Sequence, residues 1–184
     1  MSKGKLFVFS GASGVGKGTV LEKVMAARED LKFSVSATTR QPRPGEVDGE
    51  SYYFISKAQF EEMIRQDAFV EYDAHMDNYY GTPKGQLDEK LSKGSVILDI
   101  EPNGAFNVRR NSKDAVLIFI APPSLQELER RLRSRGDTSE EQIALRLDRV
   151  QWELEQSKQY DYVVINEQVE TCAAEILKII TETV

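Results

Sequence analysis

Gly11-Ala12-Ser13-Gly14-Val15-Gly16-Lys17-Gly18-Thr19 decides the reading of this chain. It follows the apolar run Leu6-Phe7-Val8-Phe9 and precedes Thr19 to Arg28, where Val20, Leu21, Val24 and Met25 recur at helical spacing. Strand, glycine-rich turn and helix form the context that a phosphate-binding loop requires. Glycines let successive backbone N–H groups point inward at a phosphate, where a Cβ would block the approach. Lys17 adds a cation able to reach the β- and γ-phosphates. A flexible turn that merely carries glycines is the ordinary alternative, and the matching flanks weigh against it. The expected ligand is a nucleoside triphosphate. One position departs from the pattern: Gly18 stands where the motif has Ser or Thr. The loop therefore lacks the hydroxyl that ordinarily ligates Mg²⁺. Thr19 lies about 100° farther round the helix, which makes it a poor replacement.

The 184 residues suit one α/β domain spanning 1–184 with small insertions and a sizeable core. With 40% apolar and 29% charged residues, the composition is that of an ordinary globular protein. A net charge of −6 argues against a general nucleic-acid binder, which needs a basic surface. Any phosphate site must then be a local basic cluster. Cys172 is the single cysteine, so no internal disulfide is expected. No long apolar segment reads as a signal peptide or a membrane span. A cytoplasmic location is expected, without membrane or nucleic-acid partners, and monomer and homodimer both remain open.

Four apolar runs lack strict alternation: Leu6 to Phe9, Val96 to Ile100, Val116 to Ile120 and Tyr162 to Ile165. Such runs suit parallel strands covered by helices on both faces. Capping boxes are readable at Ser56 with Gln59, Ser124 with Glu127, and Thr138 with Glu141. Thr82 before Pro83 fits an N-cap followed by Pro at the first helical position. Residues 34–82 contain short alternating pieces, Tyr52 to Ile55 and Phe69 to Asp73, and a Pro/Gly-bearing loop from Arg40 to Glu50. They read as an inserted lobe. Residues 124–156 form a highly charged helix pair broken at Gly136, expected to project as a lid. A phosphate-loop core with two insertions suggests an enzyme that closes over two substrates.

Arg40 and Arg43 flank Pro42, and guanidinium groups bind phosphate oxygens bidentately; a solvated basic loop is the alternative. Glu71 sits in Phe69-Val70-Glu71-Tyr72, and Tyr79-Tyr80-Gly81-Thr82 follows, whose tyrosines alone read as packing residues. Arg130, Arg131, Arg133 and Arg135 crowd one helix end, with Arg146 and Arg149 on the next. Solvated surface is the usual reading of such a run, but on an acidic chain so dense a cluster suggests phosphoryl-group contacts. Asp99 ends the buried run Val96-Ile97-Leu98, where a Mg²⁺-associated carboxylate belongs; a strand-end cap is the alternative. His75 is the only histidine, which excludes a multi-histidine metal site, and it reads as surface structure.

Taken together, these motifs resemble the guanylate kinase family of bacterial type over essentially the whole chain. The resemblance rests on Gly11 to Lys17, Ser36 to Arg43, Gly45-Glu46-Val47-Asp48-Gly49, Tyr79 to Thr82, Leu98-Asp99-Ile100-Glu101 and Ala121-Pro122-Pro123-Ser124. It implies a P-loop parallel-sheet core with a nucleoside-monophosphate-binding lobe and a helical lid. It also implies transfer of the γ-phosphoryl group of ATP to GMP, and to dGMP, with Mg²⁺. The resemblance places ATP on Gly11, Ala12, Ser13, Gly14, Val15, Gly16, Lys17, Gly18 and Thr19, with Asn166 at adenine. It gives the GMP phosphate to Arg40, Arg43, Tyr52 and Tyr80, and the guanine edge to Ser36, Glu71, Thr82 and Glu101. Lys17, Arg131, Arg135 and Arg146 then act on the transferred group, and Asp99 on the metal through water. The chain departs from the family at Pro102-Asn103, which bears on the start of the local helix. A guanylate-kinase-like module that binds phosphorylated peptides without catalysis is the second reading, and a kinase of phosphorylated sugars the third. Intact Lys17, Arg40 and the lid arginines oppose the second; Ser36, Glu71 and Tyr80 oppose the third.

Overall fold

The four apolar runs become strands, and the alternating pieces at Tyr52 to Ile55 and Phe69 to Asp73 supply two strands of a second sheet. Two short strands that no periodicity announces, Lys32–Phe33 and Ala37–Thr38, join them. The computed structural model describes residues 4–75, 77–134 and 140–184, apart from the side chains of His75, Arg131, Leu132, Ser134 and residues 140–142. Along the chain run β1 (Leu6–Gly11), α1 (Lys17–Ala27), β2 (Lys32–Phe33), β3 (Ala37–Thr38), β4 (Tyr53–Phe54), α2 (Lys57–Arg65), β5 (Phe69–His75) and β6 (Asn78–Pro83). They are followed by α3 (Lys84–Lys93), β7 (Val96–Asp99), α4 (Pro102–Asn111), β8 (Val116–Ala121), α5 (Leu125–Ser134), α6 (Glu140–Gln156), β9 (Tyr162–Ile165) and α7 (Val169–Thr183). The larger sheet has the order β2-β7-β1-β8-β9 and the smaller β4-β3-β6-β5. The chain divides into two compact units, one of residues up to Val8 with Asp30–Ala115, the other of Phe9–Glu29 with Val116–Val184.

In the first unit, β2 pairs with β7 in parallel through Lys32↔Val96 and Phe33↔Ile97. The smaller sheet joins β3 to β4 in parallel and to β6 antiparallel, and β5 to β6 antiparallel. Phe60 of α2 is fully buried and stacks on Phe69 at 4.3 Å and on Tyr79 at 5.1 Å between ring centroids. A Cβ on Gly81 would fall 2.9 Å from Phe69 and 3.0 Å from Phe60, so these rings require glycine there. Ser56 forms the expected capping box with Gln59. Thr82, by contrast, does not cap a helix. It lies in β6, Pro83 takes the N-cap position of α3 without a side-chain bond, and the Thr82 hydroxyl turns to Glu71 instead. Pairing with Glu71 holds Thr82 in the strand, so its backbone is set by β6 and not by the start of α3. The unusual Pro102 is the first residue of α4, where its fixed φ and missing N–H cost nothing.

In the second unit, β8 and β9 pair in parallel from Ile118↔Tyr162 to Ala121↔Ile165. β8 is buried throughout, as a two-face-covered strand should be. β9 is not: it ends the sheet order, and Val163 and Ile165 are about half exposed. Helices α1 and α7 are linked by Lys23 to Glu170 at 2.7 Å and by Arg28 to Thr181 at 3.2 Å. Ser124 Oγ accepts the Glu127 N–H at 3.1 Å, the cap expected for α5. The charged pair α5 and α6 also carries a stripe of core, for Leu128 and Val150 are fully buried and Ile143 nearly so. Gly136 and the Thr138 end of the third capping box lie outside the described residues.

Candidate functional site

The glycine-rich stretch of the second unit takes the conformation its composition demands. Gly14 and Gly16 have φ of 82° and 89°, the left-handed region that glycine occupies without strain. Gly16 is the N-cap of α1, and Lys17 is its first residue. A Cβ on Gly11 would meet the Ile120 carbonyl at 2.8 Å, which explains the leading glycine by close strand packing. Gly18 is different: a Cβ there would meet nothing within 4 Å. Ala12 and Val15 are buried beneath the loop, and Val15 N–H donates to the Ala12 carbonyl at 3.0 Å. Asn166 follows β9, is buried, and donates from Nδ2 to the Val15 carbonyl at 2.8 Å. Its backbone N–H bonds the Ala121 carbonyl at 2.8 Å, so Asn166 braces the loop from the end of β9, two strands away in the sheet. The start of α1 at Lys17 presents first-turn N–H groups and the positive end of a helix dipole.

Thr19 is exposed, and so is Arg146 of α6. The Arg131 side chain and all of Arg135 lie outside the described residues. The cationic run of α5 is less available than its composition suggests. Arg130 pairs with Glu127 at 2.8 Å, and Arg133 with Glu129 at 2.9 Å, one helical turn away. For those two arginines the solvated-surface alternative holds.

In the first unit, Glu71 and Thr82 face each other across β5 and β6. Glu71 is 6% exposed and Thr82 fully buried, and the Thr82 hydroxyl donates to Glu71 Oε1 at 2.6 Å. Burial pushes the Glu71 carboxyl up to about 7, against the lowering effect of the Thr82 bond, and Asp73 adds to the rise. Gly104 of α4 makes room for it: a Cβ there would stand 2.7 Å from Glu71 Oε2. Glu101, the N-cap residue of the same helix, is exposed. Ser36 precedes β3 and its carbonyl accepts the Tyr53 N–H at 2.9 Å.

A second cluster in that unit gathers Arg40, Tyr52 and Tyr80. Arg40 forks onto Glu46 with bonds of 2.9 and 2.8 Å, and it also donates to the Gln41 carbonyl at 2.7 Å. Its guanidinium lies 5.4 Å from the Tyr52 ring centroid and 5.8 Å from that of Phe54. Tyr52 and Tyr80 meet edge to face at 6.1 Å. The Glu46 bond raises the Arg40 pKa, and Tyr80 adds to the rise. The same bond, with the Arg43 N–H at 2.7 Å, holds Glu46 down at about 2. The Arg43 side chain is exposed. Gly45 and Gly49, with φ of 87° and 80°, supply the turns of this loop.

Three residues hold site groups in place and have no role in the sequence-based expectations: Glu46 bonded to Arg40, Gly104 beside Glu71, and Glu153, whose Oε2 accepts the Ser13 N–H of the glycine-rich loop at 2.8 Å. The spacing Arg-x-x-Arg-x-x-Glu was a usable signal for the first. No local signal marks the other two, because their partners are distant in the chain. Among the described residues no group of three or more His, Cys, Asp or Glu is placed to hold a metal. Likewise no described helix is long and apolar enough to cross a membrane.

Comparison with known proteins adds a second line. The family model described as guanylate kinase matches residues 3–183. The chain is 49% identical over 180 residues to a guanylate kinase of Thermus thermophilus, covering 97% of this chain and 81% of that one. It is also 49% identical over 176 residues to one of Prochlorococcus marinus, covering 95% of each. Among solved structures, guanylate kinase from Anaplasma phagocytophilum superposes with a TM-score of 0.80 at 34% identity, over 98% of this chain and 86% of that one. A gluconokinase from Sinorhizobium meliloti reaches a TM-score of 0.50 at 17% identity, a likeness of fold alone.

Proposed function

The chain belongs to the guanylate kinase family, and on that premise we propose that it transfers the γ-phosphoryl group of ATP to GMP, giving ADP and GDP. The observation that carries this reading is the buried Glu71 carboxylate, held by Thr82 in the unit that also gathers Arg40, Tyr52 and Tyr80. Guanine presents N1–H and a 2-amino group as adjacent donors, and an ionised Glu71 accepts both. Adenine has an unprotonated N1, whose lone pair would face the carboxylate. Ser36, Thr82 and Glu101 take the remaining polar edge. Arg40, Arg43, Tyr52 and Tyr80 receive the phosphate, with Glu46 keeping the Arg40 fork in place.

In this reading the loop Gly11 to Thr19 receives the ATP phosphates, and Lys17 follows the charge that develops on the transferred group. Arg131, Arg135 and Arg146 neutralise the same group, and Asn166 orients the loop beside adenine. The acceptor phosphate is largely ionised at neutral pH, so no strong general base is needed. Residues 34–82 form the monophosphate lobe and 124–156 the lid. Mg²⁺ neutralises phosphate oxygens when bound. Gly18 lacks a ligating hydroxyl, and the described residues gather no cage. These residues fit a metal carried by ATP phosphates and waters, with Asp99 as an outer carboxylate. A cytoplasmic location belongs to the same reading.

The test is coupled detection of ADP formed from ATP with a panel of nucleoside monophosphates. GMP is expected to be used best, dGMP next, and AMP about 10⁴-fold less well, as expected when a paired buried contact is lost. Comparable rates with AMP, or none with GMP, would refute the proposal.

A further inference from the structure

Behind the phosphate loop lies a buried carboxylate that the reaction above does not use. Glu153 of α6 is 1% exposed. Its Oε2 accepts the Ser13 backbone N–H at 2.8 Å, a bond across 140 residues of sequence. Its Oε1 accepts Arg149 Nε at 3.1 Å, one turn back along α6. An apolar side chain would fill this place without the cost of burying a charge, so the bonds are what a carboxylate supplies here.

Those bonds act on the shape of the loop. Ser13 is anchored through its N–H, and two residues on the Val15 carbonyl is anchored by Asn166 at 2.8 Å. Between them stands Gly14, in the left-handed region and without side-chain restraint. Fixing both neighbours of so free a residue keeps the loop's N–H groups arranged before any ligand arrives, which removes ordering cost from binding. The other end of the same carboxylate holds Arg149, on the helix that also carries Arg146. We propose that Glu153 is a positioning residue for ATP: it sets the phosphate-receiving shape of the loop and ties that shape to the arginine-bearing helix α6. The proposal rests on the reading of the loop as the ATP site.

Calorimetry with a non-hydrolysable ATP analogue and, separately, with GMP tests it on the full chain, alongside kcat and both KM values. Glu153→Ala is expected to weaken the analogue about tenfold or more, the effect of one lost charge-assisted bond to a partly buried N–H, with GMP affinity within about twofold of wild type. Glu153→Gln keeps an acceptor for Ser13 but no charge for Arg149. It should bind the analogue within about threefold of wild type while kcat stays depressed. Equal weakening of both nucleotides, or a lower Tm with unchanged analogue affinity, would overturn the proposal. So would a Glu153→Gln protein with wild-type kcat, or one as weak for the analogue as Glu153→Ala. Should the alanine variant not fold, the glutamine variant alone decides through its split between affinity and kcat. A wild-type chain that binds the analogue but does not phosphorylate GMP would refute the proposed reaction and leave this inference standing.

Discussion

On the proposed assignment, replacing Glu71 by Gln should separate base recognition from phosphate binding. Burial raises the Glu71 carboxyl from 4.5 to about 7. Keeping it ionised there costs about 3 kcal/mol, at 1.36 kcal/mol per decade. In the proposed complex guanine would offset that cost with two charge-assisted bonds of about 1.5–3 kcal/mol each. The amide of Gln can still take the Thr82 hydroxyl on its oxygen, but its NH₂ then opposes the donors of guanine. We expect kcat/KM for GMP to fall by about 10²-fold or more, and activity on AMP to rise relative to GMP. Wild-type kcat/KM should also climb as pH rises through about 7, where Glu71 loses its proton, and the variant should lack that component. Stability carries the opposite sign. Between pH 4.5 and 7 the folded chain keeps a proton that the unfolded chain has lost, so the stability of the wild type falls as pH rises through this window. Glu71→Gln should therefore gain on wild type in denaturant titrations from pH 5 to pH 8, by up to about 3 kcal/mol. Steady-state assays with GMP and AMP at several pH values are the measurement. An unchanged preference for GMP over AMP, or a pH profile identical in the two proteins, would refute the reasoning.

Lys17→Ala should leave the fold intact by circular dichroism and abolish turnover, since an ammonium must follow the moving charge; near-normal kcat would contradict the mechanism. Gly18→Ser enters open space, so it should fold normally and gain about 0.4–1 kcal/mol from a restricted unfolded chain. Its activity should stay within a few fold of wild type, and a structure with Mg²⁺ and ATP showing Thr19 Oγ1 on the metal would contradict the proposed coordination. Gly104→Ala places a Cβ 2.7 Å from Glu71 Oε2, so KM for GMP should rise by about tenfold or more while KM for ATP holds; equal changes in both would point to general misfolding.

What the sequence determined by itself is local. The phosphate loop is legible because its glycines answer to a backbone need, φ above zero at Gly14 and Gly16, that neighbours along the chain create. The Ser56 cap and the apolar strands are legible for the same reason: a cap acts over three residues and these apolar runs over four or five. Strands β2 and β3 are two residues each, too short for any period to show, and exist only through pairing with distant segments, whereas β4 falls inside the alternating piece Tyr52 to Ile55. Thr82 followed by Pro83 carries the local mark of a helix cap, yet Glu71, eleven residues away, claims its hydroxyl. Local propensity is worth about 1 kcal/mol there, and a bond to a buried carboxylate exceeds it. Gly104 and Glu153 give no sign in sequence, because each answers to an atom that only the tertiary structure brings near: Glu71 Oε2 in one case, the Ser13 N–H in the other. Composition and short spacing thus named the chemistry, while packing decided which groups hold its residues in place.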